Sequence, residues 1–234
     1  MSDNWNYADL IKAHRVLMDG EGRFGFYTAY MENRSPNAWL ESPDVPLKEA
    51  LLLFGWIHSW DPNYEAESTK FLEEYAKVFT ITKGFENKTI FDIKLTKNIR
   101  GDLALIFNQL ANCCRIPWGK KVAKYESTDT SKALHGMIPE LFVMWDNKIR
   151  KGILGIKGTG SGREYDGTCY AEEFLPLMQS RAKQVLDSFV EKHGGDYVTA
   201  SIAISKSCNG FTLAKLIDEF NYFTFTKGWS LKDI

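Results

Sequence analysis

The chain has few cysteines, few prolines, almost no net charge and no long apolar run. Its four cysteines are Cys113, Cys114, Cys169 and Cys208. An adjacent pair with two distant singles fits no zinc or iron–sulfur spacing, so neither a metal nor a cofactor is expected. No stretch of about 18 apolar residues occurs, which excludes a membrane-spanning helix. Asn4, Asp9, Lys12, His14 and Arg15 break up the region where a secretion signal would need an apolar run. The expectation is a cytoplasmic protein with reduced thiols. The net charge of −1 provides no global attraction to nucleic acid or membrane. Also missing are a His-Glu-x-x-His pair, a Gly-x-Ser-x-Gly elbow and a Gly-Lys-Ser/Thr phosphate loop.

What is present is an ordinary globular composition rich in large rings. Of 234 residues, 44% are apolar and 14% aromatic, with seven tryptophans. A chain of this length buries enough surface to fold without staples. Its apolar residues recur mainly at helical spacing. Such stripes run through residues 5–18, 47–58, 67–80, 99–113 and 213–223, and a long helix is expected up to about Lys192 with Pro176 in its first turns. Thr212 is placed to cap the last helix. Residues 24–31 and 197–206 fit either a strand or a helix, and 84–97 is a connection with some strand character. The fold class is therefore all-α or mainly α, with roughly eight to ten helices and few short strands. Residues 1–234 form one helical unit, and any division into two lobes falls at 1–98 and 99–234.

Charge is spread unevenly. Residues 37–85 carry eight acidic side chains against four basic ones, whereas 86–157 carry thirteen Lys/Arg against seven Asp/Glu. The second stretch would present a basic face to phosphate. Within it, Ile116-Pro-Trp-Gly-Lys-Lys-Val-Ala123 is followed by Ser131-Lys-Ala-Leu-His135 and then by Pro139 through Arg150. Phe142–Trp145 reads as a short buried run, and Asp146 stands where a new helix begins. An aspartate there accepts backbone N–H bonds and faces the positive end of the helix dipole.

These residues resemble the helix–hairpin–helix DNA glycosylase superfamily. The resemblance covers about 116–153, and the same stretch resembles uncharacterised prokaryotic proteins that share a Lys-x-Leu-His and Trp-Asp block. Ile116–Ala123 is similar to the family's Leu-Pro-Gly-x-Gly hairpin, one residue short and with Trp118 about where the first glycine would stand. The resemblance implies that Asp146 is the catalytic carboxylate and that Lys132 or Lys121 is an amine nucleophile. It also implies DNA contacts from Arg115, Trp118, Gly119, Lys120, Lys121 and Lys124. A base flipped from the stack would lie on Trp118 or Trp145. The activity implied is cleavage of the N-glycosidic bond of a damaged base, with lyase activity where a lysine takes part.

Two rivals stand beside this reading. One is a non-catalytic nucleic-acid-binding or interaction module, in which Asp146 is only a helix cap. The other is a helical protein without a nucleic-acid role. Gly158, Gly160, Gly162 and Arg163 form a glycine-rich stretch that is read as a loop, because no strand leads into it.

Overall fold

Side-chain caps mark where several helices begin. The computed structural model describes residues 5–20, 24–34, 47–60, 68–112, 115–116, 124–125, 127–155 and 167–232. Among them are ten helices of at least eight residues: α1 Tyr7–Gly20, α2 Phe24–Asn33, α3 Leu47–Trp60, α4 Ser68–Lys83, α5 Lys97–Ala111, α6 Ser127–Met137, α7 Asn147–Leu154, α8 Leu175–His193, α9 Tyr197–Ser207 and α10 Leu213–Asn221. Thr96, Asp146, Asp196 and Thr212 each accept a bond from a first-turn N–H of the helix that follows. A π turn, Tyr170–Phe174, leads into α8, and another, Tyr222–Thr226, prolongs α10. No helix among the described residues is long and apolar enough to cross a membrane. The protein is mainly α-helical.

The two undecided segments are both helical, for local reasons. Gly194 and Gly195 take positive φ angles, of 74° and 93°, and Asp196 then caps α9 by accepting from Thr199 N at 2.7 Å. In α2, Tyr27 and Tyr30 fall one turn apart and are both buried, which fits a helix face and not a strand. The strand character expected within 84–97 is not realised. Thr89 and Asp92 bond each other's backbone N–H instead, a local turn that competes with a ladder. The only strands among the described residues are Arg115–Ile116 and Lys124–Tyr125, paired antiparallel. They bracket the proposed hairpin, whose residues 117–123 lie outside the described residues. The glycine-rich stretch, 156–166, lies outside them too.

One continuous set of buried apolar side chains runs from Leu10 to Phe223. α10 lies inside it, packed against α1, α8 and α9. Its apolar stripe was expected from the sequence; the burial of its other face was not. Lys215, Asp218 and Glu219 are all buried.

Between α6 and α7 the chain runs through the core without regular structure, so its backbone needs other partners. Ser131 Oγ takes the Trp145 N–H at 3.1 Å, Tyr170 OH donates to the Val143 carbonyl at 2.7 Å, and Ile90 N donates to the Glu140 carbonyl at 2.9 Å. Thr212 Oγ1 donates to the Pro139 carbonyl at 2.7 Å. These bonds tie the linker ahead of Asp146 to α6, to the π turn that leads into α8, to the turn around Ile90 and to the cap of α10.

Candidate functional site

Asp146 is the cap that its position suggested. Its Oδ1 accepts from Ile149 N at 2.7 Å, and its Oδ2 accepts from the Thr226 hydroxyl beyond α10. The helix start at α7 is thereby tied to the end of α10. Gly155, at φ 66°, closes α7 in the left-handed conformation.

Lys132 faces the same space as Asp146. A cleft of about 160 Å³ is lined by Trp60, Thr128, Lys132, Met144, Trp145, Asp146, Ile149, Lys215, Asp218, Glu219 and Tyr222. Its floor is buried, and Trp60, Thr128, Lys132, Asp146 and Tyr222 are partly exposed. Thr128 and Lys132 are one turn apart on α6 and share a face. Lys132 Nζ is ion-paired with the fully buried Asp129 at 2.7 Å. The Lys121 that competes for the nucleophile role lies outside the described residues, as do Trp118, Gly119 and Lys120. Arg115 and Lys124 are placed only by their backbone, on the two short strands just ahead of α6.

Three ionisable residues of the cleft were missed in the sequence. Lys215, Asp218 and Glu219 on α10, followed by Tyr222 at the start of the π turn, stand at i, i+3, i+4 and i+7, opposite the stripe Leu213, Leu216, Ile217 and Phe220. Lys215 Nζ lies 2.9 Å from Asp218 Oδ2 and 3.3 Å from Glu219 Oε1. The same ammonium stands over the rings of Tyr27 and Trp60, at 5.2 and 5.9 Å. Behind it, His14 Nδ1 meets Glu219 Oε2 at 2.7 Å. Burial opposes the charge of Lys215, but the carboxylates of Asp218 and Glu219 outweigh it and hold the ammonium above its ordinary range. Burial also pushes the Asp218 carboxyl up to about 6; Lys215 pulls it down, and the negative charges of Glu219 and Asp146 push it up.

His135, one turn from Lys132, belongs to a different environment. The Phe142 carbonyl can only accept, so His135 Nδ1 carries the proton and donates to it at 2.6 Å. Nε2 then accepts from Tyr27 OH at 2.9 Å. Burial is the main cause of a value lowered to about 3, helped by the Lys215 and Arg34 cations and opposed by the carbonyl bond. His135 is a neutral, fully used core histidine.

Trp145, one of the two rings named for base stacking, is boxed in. Its Nε1 donates to Ser127, and Phe107, Tyr170, Phe174 and Arg150 pack around the ring. The rings at the cleft with partial exposure are Trp60 and Tyr222.

The arrangement combines carboxylates, ammonium groups and flat apolar walls in a volume close to that of one ring: a cavity of about 150 Å³ takes benzene. No protein-family model, curated protein or solved structure matches the chain.

Proposed function

We propose that the protein is a DNA-glycosylase-like enzyme that takes an extruded base into this cleft and hydrolyses its N-glycosidic bond. The observation that carries the proposal is the meeting of Lys132 and Asp146 in one cleft of about 160 Å³, with Trp60 and Tyr222 at its rim. Loss of a base leaves positive charge on the sugar, and a fixed carboxylate such as Asp146 stabilises it most where water is excluded. An amine nucleophile must be neutral, whereas Lys132 is ion-paired with a buried carboxylate. This favours water over Lys132 as the attacking group. The carboxylates of the cleft repel phosphate, so the DNA backbone stays outside. Arg115, Lys120, Lys121 and Lys124 precede α6 in the chain and are the residues proposed to meet it.

A panel of single- and double-stranded oligonucleotides, each with one damaged pyrimidine or purine, tests the proposal by release of free base. The expected result is release of at least one base, and a fall of about 10²–10³-fold on Asp146→Asn. The rival binding module has its own support: both oxygens of Asp146 already serve Ile149 and Thr226. DNA binding without base release from any panel member selects that rival.

A further inference from the structure

We infer that Asp218 is the acid of the cleft, the group that hands a proton to a departing pyrimidine while Asp146 receives one from water. The inference rests on the base-release proposal and adds to it a residue, a role and a substrate class.

The two carboxyl groups are held differently. Asp146 uses both oxygens, one on Ile149 N and one on Thr226. Asp218 uses only Oδ2, on Lys215, and among the described residues it has no other hydrogen-bond partner. Its side chain keeps 10% exposure in the cleft wall, which leaves Oδ1 available to a ligand. The groups that face it are Lys215 and Glu219 from α10, Asp146 from the start of α7, Lys132 from α6, and the ring hydroxyls of Tyr27 and Tyr170. With a value of about 6, a useful fraction of Asp218 is protonated near neutral pH, as a general acid requires.

The reaction balances as follows. The C1′–N bond breaks and its electron pair stays on the base. The Asp218 O–H proton passes to the base, and the new carboxylate is held by the Lys215 ammonium. A water oxygen bonds to C1′ and loses a proton to the Asp146 carboxylate. The products are the free base and the C1′ hydroxyl; Asp146 then releases its proton to solvent and Asp218 takes one up. The cleft volume of about 160 Å³ takes a single ring such as a pyrimidine, since a cavity of about 150 Å³ already holds benzene.

The test is single-turnover release of uracil and of 5-fluorouracil from otherwise identical oligonucleotides between pH 5 and 8.5. Fluorine makes the departing ring a better anion, so it needs the proton less. For wild type, uracil release should fall about tenfold per pH unit above about pH 6 while 5-fluorouracil release stays flatter. Asp218→Asn should slow uracil by about 10²-fold, slow 5-fluorouracil far less, and abolish the pH limb. Equal losses on both bases with the limb retained would overturn the role of Asp218. If the variant does not fold, the wild-type profiles decide alone, and parallel slopes overturn it. Release of purines only would overturn the inference and leave the base-release proposal standing. Release of nothing from the whole panel overturns both.

Discussion

His135 and Lys132 lie one turn apart on α6 and enter two different polar interiors. The groups bonded to His135 are neutral: the imidazole donates to the Phe142 carbonyl and accepts from Tyr27, and burial above all keeps it uncharged. Around Lys132 and Lys215 the groups are charged: Asp129, Asp218 and Glu219 are buried beside their ammonium partners, and Lys132, Lys215, Asp218 and Glu219 line one cleft of about 160 Å³. A neutral, satisfied network stabilises a fold modestly. A buried ion cluster costs desolvation that its own attractions offset only in good geometry, and apolar residues of the same shape often do as well. The first network therefore needs no purpose beyond stability. The second is the region where function is to be sought.

The contrast can be pushed hardest at Lys215. Lys215→Met removes the cation but leaves two buried carboxylates, and should cost about 3–5 kcal/mol at pH 7.5. The Asp218 value of about 6 is raised above the ordinary 3.8. Protonation therefore favours the folded state: this contribution is complete below about pH 4 and is lost as pH rises through 6. The penalty of Lys215→Met should shrink at pH 5, where the orphaned carboxyl can be neutral. Urea titrations at the two pH values check this, and a penalty that does not change with pH would break the distinction.

A smaller effect is expected in the neutral network. Tyr27→Phe takes the donor from His135 Nε2 and should cost about 1–3 kcal/mol. Because His135 titrates near 3, this cost should be the same at pH 5 and 7.5 in the same urea titrations. A cost that grows at pH 5 would show that the histidine carries charge.

The smallest effect belongs to Asp146, which is both a helix cap and a cleft residue. Asn caps a helix about as well as Asp, so Asp146→Asn should change stability by only about 0.5 kcal/mol, as read from the urea midpoint. A loss above about 2 kcal/mol would mean that its bond to Thr226 depends on the charge.

Much of this architecture could be read in the chain. The stripes in α3, α5 and α10, the caps at Asp146 and Thr212, and the buried run ahead of Asp146 follow from spacing and side-chain chemistry alone. α9 could have been settled too, since Gly194-Gly195-Asp196 is a helix start signal ahead of an ambiguous β-branched run. The cleft is another matter. On a helix, Lys215 with Asp218 and Glu219 at i+3 and i+4 reads as a pair of surface ion pairs, the commonest use of that spacing. Only tertiary packing, which sets Tyr27 and Trp60 against Lys215 and His14 against Glu219, turns that face inward, and no local pattern encodes it. Trp60 and Tyr222 enter the cleft from the ends of two distant helices, a juxtaposition set by tertiary packing alone.

The π turn at the end of α10 works as a phase shifter. Lys227 N bonds back to the Tyr222 carbonyl, so Tyr222–Thr226 holds one residue more than an α turn would. Each helical residue advances about 100° around the axis, so that extra residue resets the direction of all that follows. Tyr222 closes the cleft-facing stripe, while Phe225 is brought over Gly152 of α7, where even a methyl group would collide with its ring, and Thr226 is brought round to Asp146. Helix α7 and the tail of α10 are thus keyed to each other like a notch and its tooth. Removing one residue from 222–226 would turn the tooth out of the notch while leaving Lys215 and Asp218 where they stand. Asp146 and Asp218 are in this sense held by separate fastenings, and one can be released without loosening the other.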